Sequence, residues 1–255
     1  MKTVYDLVCP LGQFCGVAFY CRRFFLRSMS QPFDWINGTE VDLVRYVETV
    51  ENDFASFCRK DALSYLMSGD DAVVYRDAGT GLVLSHDFKT NTTFDDAYPR
   101  VRAKYDRRIA RFYAKIRESK NVLFIHIAKT AIPSDVTILD CAARLKTKFP
   151  GTNVHLLVLA ETPEIKDKPR MEEPSPGVFI ARGDFYPNPK DFRLGDIAMC
   201  SQVFSLVRLR GRLRNWLHQR LGKTKFRLAT MFHLTSAGRR AARQQYFFDH
   251  TPGGE

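Results

Sequence analysis

Short, almost unbroken apolar runs alternate along this chain with longer stretches whose apolar residues recur every third or fourth position. Val4 to Cys9, Val122 to Ile127, Val154 to Leu159 and Val178 to Ala181 are of the first kind. Runs without polar alternation suit strands covered on both faces. The second kind predicts helices. One opens at Cys15, with Ala18, Cys21 or Arg22, and Phe25 at helical spacing; another covers Val41 to Cys58 (Val44, Val47, Phe54, Phe57) and continues as a helical segment through Leu63 and Leu66. Tyr98 to Ser119 carries the stripe Tyr105, Ile109, Phe112 and Ile116, and Ser134 is the expected N-cap of a helix reaching Phe149.

The strand–helix–strand succession from Val122 to Leu159 is the pattern of a parallel β-α-β unit. The runs Val73–Tyr75 and Gly81–Ser85 flank an Asp-Ala-Gly-Thr-Gly turn, which predicts a hairpin leading into His86-Asp87-Phe88. Glu161 to Gly177, rich in Pro and charge, reads as a surface loop. The expected architecture is α/β: a mostly parallel sheet with helices on both faces over residues 1–196. A basic helical C-terminal extension, 197–255, follows it.

Charge sharpens that division. The chain carries a net charge of +11, from 39 Lys and Arg against 28 Asp and Glu. Between Ile197 and Phe248 there is no acid but eleven basic residues, which leaves the two signs balanced at 28 each elsewhere. Phe204, Val207, Leu213, Trp216 and Leu221 interleave with Arg208, Arg210, Arg212, Arg214 and Arg220, suggesting an amphipathic basic helix. Its expected partner is an anionic membrane face over residues 201–248, or simply the α/β body; nucleic acid is the weaker alternative. No apolar run approaches the ~20 residues that cross a bilayer. The expectation is a cytoplasmic protein, at most peripheral at the inner membrane face.

Six cysteines (Cys9, Cys15, Cys21, Cys58, Cys141 and Cys200) are scattered without zinc-site spacing, so no metal or other cofactor is called for. Cys15 differs from the rest by following a Pro10-Leu11-Gly12 turn and opening a helix. Unpaired N–H groups there favour a thiolate, a bound phosphate or an oxyanion. His86 leaves its strand into a polar loop and is the candidate base. Asp34, between Phe33 and Trp35, is either the group that orients the histidine or a structural ion-pair partner. His126 and His155 read as core histidines. Gly12, Gln13 and Trp35 border the nucleophile in the sequence as substrate-binding candidates. Arg107, Arg108 and Arg111 on one helix either meet an anionic substrate or form a solvated face.

Tyr5-Asp6-Leu7-Val8, Leu11-Gly12-x-x-Cys15, Pro32-Phe33-Asp34-Trp35, His86-x-Phe88, Lys104-Tyr105-x-Arg107-Arg108-Ile109-x-Arg111-Phe112 and Val122-Leu123-Phe124 together resemble a bacterial domain family of unknown function. Its members are described as papain-like cysteine peptidases. The resemblance covers roughly residues 4 to 185 and implies a nucleophile at Cys15 with a histidine downstream. Two features depart from papain: Gln13 lies only two residues before Cys15 and no Trp follows it, and the β-α-β pattern suggests a parallel sheet. The reading that follows is a cysteine hydrolase or acyltransferase using Cys15, His86 and Asp34. The alternatives are a surface-polysaccharide biosynthesis protein holding a nucleotide-sugar phosphate at Gly12–Cys15, and a non-catalytic binding module with a basic tail.

Overall fold

The computed structural model describes residues 2–38, 40–187, 195–213 and 215–217. In chain order its elements are β1 (Val4–Tyr5), β2 (Leu7–Pro10), α1 (Gly16–Arg23), β3 (Ile36–Asn37), α2 (Leu43–Glu51), β4 (Leu63–Ser68), β5 (Ala72–Asp77) and β6 (Val83–Lys89). Then come α3 (Phe94–Arg117), β7 (Asn121–Ala128), α4 (Asp135–Lys148), β8 (Asn153–Glu161), β9 (Arg170–Ser175), β10 (Val178–Gly183), α5 (Ile197–Ser205) and β11 (Arg208–Leu209).

The apolar runs pair as their patterning requires. β2, β7, β8 and β10 lie parallel and adjacent in one sheet, with β9 antiparallel on the outer edge. Alternate residues of each strand enter two separate cores. Leu123, Ile125 and Ile127 join Val17, Tyr20, Val203 and Phe204 from α1 and α5. Phe124 and Ala128 join Tyr46, Tyr105, Phe112 and Leu145 from α2, α3 and α4. Both faces are therefore covered, which is why these strands show no polar alternation. Helices α2 to α5 start at side-chain caps that their sequences supply: Asp42, Thr93, Ser134 and Asp196 each accept a backbone N–H from the first turn.

A second, antiparallel sheet in the order β3-β6-β5-β4 packs beside α3. It contains the expected hairpin, β5 and β6, and corrects one element: Leu63 to Ser68 is strand, not helix. Two leucines three residues apart fit either period, and the ladder to β5 decides in favour of strand. As an edge strand β4 leaves Tyr65, Leu66 and Met67 exposed. A second correction concerns Glu161–Gly177, which holds β9 and is not all loop. There Arg182 of β10 pairs with Glu172 of β9, so charge in this stretch marks an edge strand. The opening run is also divided. Asp6 accepts the N–H groups of Lys120 and Asn121, and separates β1, which pairs with β11, from β2.

The start of the acid-free region belongs to the body. α5 ends at Ser205, before the arginines, so no continuous basic helix runs from residue 201. Cys200, Val203, Phe204, Val207 and Leu209 are buried, and Arg210 pairs with Asp6 at 2.9 Å. Most of the basic extension, including Leu221 and the cations after it, lies outside the described residues.

Candidate active site

β2 does not stop at the turn that follows it. Leu11 donates its N–H to the Ile125 carbonyl (2.8 Å), Ile127 donates to Gly12 (2.9 Å) and Gln13 donates to Ile127 (3.2 Å), so the loop runs on beside β7 past the carboxyl end of β2. Gly12 has φ +88°, and the Tyr46 ring stands 2.3 Å from where a Cβ would be. No other residue type fits there without displacing that ring. The Tyr46 hydroxyl and the Gly38 N–H both donate to the Gln13 carbonyl. The Gln13 side chain is fully buried: its amide donates to the Val41 carbonyl, and its oxygen accepts the N–H groups of Lys129 and Thr130. Gly12 and Gln13, expected at the substrate, thus act as the joint between three loops.

That joint presents Cys15 at the start of α1. The residue has helical dihedrals (φ −60°, ψ −11°), no side chain caps the helix, and its first turn holds no acid. Unpartnered N–H groups give such a terminus partial positive charge. Of the six cysteines, five are buried and Cys15 is half-buried. Burial pushes the thiols of Cys58, Cys141 and Cys200 up to about 12, and raises those of Cys9 and Cys21 well above the ordinary thiol value as well. Cys15 is therefore the one thiol that solvent reaches, and it stands at the carboxyl edge of the parallel sheet, where ligands of open α/β sheets bind.

His86 comes from the second sheet. On β5, Tyr75 pairs with Leu84 and Val73 with Phe88, so Ser85, His86 and Asp87 bulge opposite the single residue Val74. The bulge turns Asp87 to Lys104 and Tyr105 of α3, and leaves His86 half-buried. The two sheets meet through β3. Ile36 and Asn37 pair with β6, and the next residue, Gly38, donates to Gln13. Among the other described histidines, His126 is fully buried, bonded through Nδ1 to the Leu11 carbonyl at 3.3 Å, and pushed down to about 4 by burial. It is a neutral core histidine, as its sequence context indicates. His155 is half-buried and bonded to the Tyr5 hydroxyl at 2.8 Å.

Asp34 takes the ion-pair option. Its Oδ2 accepts from Arg27 Nε (2.9 Å), from the Arg27 guanidinium terminus (2.6 Å) and from the Gln31 N–H (2.8 Å). The pair is sealed, with side-chain exposures of 2% and 0%. Trp35 follows with φ +64°, half-buried at the entry to β3. Arg107 is exposed on α3, whereas Arg108 and Arg111 are half-buried.

A group with no sequence motif stands at the same sheet edge. Glu161, the last residue of β8, accepts the N–H groups of Phe185 and Tyr186 just beyond β10. Burial and the neighbouring Asp184 push its carboxyl up to about 7. The Tyr186 ring meets Phe14 edge-on at 5.2 Å, and the Lys129 ammonium lies 5.0 Å from its centre. Its hydroxyl is buried and has no hydrogen-bond partner among the described residues. The only signal for these residues is their position immediately after strands of a parallel sheet.

A groove of about 860 Å³ is at the other end of the sheet, between Tyr113, Arg117, Lys148 and Gly151, and is lined by no cysteine or histidine. Among the described residues no cluster could hold a metal ion, and no helix is long and apolar enough to cross a membrane.

Comparison with known proteins adds a family. A family model described as "Putative papain-like cysteine peptidase" matches residues 6–160, from just before β2 to one residue short of the end of β8. An uncharacterized protein of Acanthamoeba polyphaga mimivirus is 27% identical over 137 residues, which are 47% of this chain and 60% of the viral protein. No solved structure matches the chain.

Proposed function

The chain belongs to this family of papain-like cysteine peptidases by description, and on that premise we propose that it is a cysteine-nucleophile hydrolase or acyltransferase acting through Cys15. In this reading the Cys15 thiolate attacks an acyl carbonyl, and the developing oxyanion is met by N–H groups at the start of α1. His86 takes the thiol proton and returns it to the leaving amine, alcohol or thiol. Water or a second acceptor then releases the acyl group from the thioester. Asp34 serves by holding the Arg27–Trp35 loop and does not contact the histidine in this reading.

The observation that carries the proposal is the contrast among the thiols: five sealed and raised, one accessible at an uncapped helix start. Alkylation by iodoacetamide at pH 6, with the labelled sites mapped by mass spectrometry, tests it. Cys15 is expected to react at least about tenfold faster than any other thiol, and His86→Asn to slow that reaction. Uniformly slow labelling of all six would overturn the nucleophile.

A further inference from the structure

Tyr65, Leu66 and Met67, consecutive on β4, expose 63%, 43% and 55% of their surface. Elsewhere among the described residues, exposed large apolar side chains stand singly along the chain, which is ordinary for a protein surface. A run of three is not, unless something covers it.

The strand that carries them is also an open edge. In the order β3-β6-β5-β4, one end of the second sheet is β3, two residues long and tied to the nucleophile loop through Gly38. The other end is β4, which pairs with β5 on one side and, among the described residues, bonds to no backbone on the other. Outward-facing N–H and C=O groups of such a strand template a further strand. The first sheet guards its own edge: β9 reads Arg170-Met171-Glu172-Glu173-Pro174-Ser175, with three charges and a proline. β4 reads Leu63-Ser64-Tyr65-Leu66-Met67-Ser68 and has neither. Its one irregularity is the register shift between Tyr65 and Met67, which leaves Leu66 without a partner on β5.

The charges at its two ends select what fits this edge. Arg59 and Lys60 precede β4, and Asp70 and Asp71 follow it, all four exposed. An antiparallel copy of the strand, with Tyr65 on the two-fold axis, sets Lys60 opposite the partner's Asp70 and Arg59 opposite the partner's Asp71. Leu63 then faces the partner's Met67. A parallel copy would instead bring like ends together. The pairs that Arg59 and Lys60 make within the chain, with Asp61 and Asp95, are exposed and hold them weakly.

We propose that β4 is the interface of a two-fold dimer of this chain, pairing antiparallel with its own copy about Tyr65 and joining two four-stranded sheets into one. Six residues a side bury less than the ~1,600 Å² of a standard interface, so the association is reversible. β4 lies two strands from β6, which carries His86, and the dimer is independent of the chemistry at Cys15.

Sedimentation velocity of the full chain at rising concentration tests the interface, and a monomer–dimer equilibrium is expected. Tyr65→Lys with Met67→Lys sets like charges across the axis at two exposed positions and should weaken the dimer at least about tenfold. Arg59→Glu with Lys60→Glu should weaken self-association by a similar factor, and so should Asp70→Lys with Asp71→Lys. Mixing these two charge variants should restore association, because acidic ends then meet basic ends only in the mixed pair. The charge variants lie outside the strand and serve if the lysine variant does not fold. A monomer at every concentration up to about 1 mM would overturn the second copy as the occupant of this edge. A dimer that survives the lysine substitutions, or a mixture that associates no more tightly than its components, would overturn the strand and the register respectively.

Discussion

Replacing Asp34 by Asn changes one charge and hardly any volume, and it separates support from chemistry. In the native chain Arg27 and Asp34 expose 2% and 0% of their side chains. Arg27 donates to Asp34 Oδ2 and, at 3.2 Å, to the Ser30 hydroxyl. Asp34→Asn therefore leaves a guanidinium buried against a neutral amide. Removing one member of a sealed ion pair costs about 3–5 kcal/mol, which for a chain of this size lowers Tm by roughly 6–20 °C. Arg27→Met should cost a similar amount, since it strands the carboxylate. The double variant should recover at least about 2 kcal/mol of the summed loss, because no charge remains buried and the Asn oxygen still accepts the Gln31 N–H. Urea titration followed by tryptophan fluorescence reads all three, as Trp35 adjoins the pair. A loss below about 1 kcal/mol for Asp34→Asn, or strict additivity in the double variant, would refute the argument from burial. Undiminished stability with slowed alkylation of Cys15 would return Asp34 to the role of orienting the histidine.

Gly12→Ala should destabilise the protein by more than the ~1 kcal/mol that a positive φ costs a residue with a Cβ, since the added atom falls on the Tyr46 ring; the same substitution made in a Tyr46→Ala chain should cost less than it does in the parent, as read by thermal melting. The raised carboxyl of Glu161 makes folding proton-linked. Its folded value of about 7 lies above the ordinary 4.5, so its contribution to stability is complete below pH 4.5 and is lost as pH rises through 7. Glu161→Gln should flatten the stability profile over that window in urea titrations from pH 5 to 8; an unchanged slope would place the titrating group elsewhere.

The continuous apolar runs and the helix caps were legible because they record only which faces are covered, and that is a local property. Val122–Ile127 and Val154–Leu159 can be buried on both sides only in the interior of a parallel sheet, and Ser134 caps whatever helix follows it. Cys15 at a helix start was likewise readable from the Gly12 turn and the apolar spacing after it. Leu63–Ser68 failed because a six-residue stretch fits both periods and its partner strand settles the matter. β9 failed because an edge strand needs little apolar content.

The polar groups follow a different logic, since a buried donor or charge is stable only with a partner, and the partner is wherever the fold has brought one. No spacing rule sends the Gln13 amide to Val41, Lys129 and Thr130, or places Glu161 against the N–H groups of Phe185 and Tyr186. The choice for Asp34 between histidine and arginine could not be made from Pro-Phe-Asp-Trp alone; the chain bending back over β2 made it by burying Arg27 beside it. The sequence by itself determined the layers and the exposed thiol's place at a helix start. The tertiary structure decided which buried charges and polar groups meet each other, because desolvation is set by the whole fold while periodicity is set by neighbours in the chain.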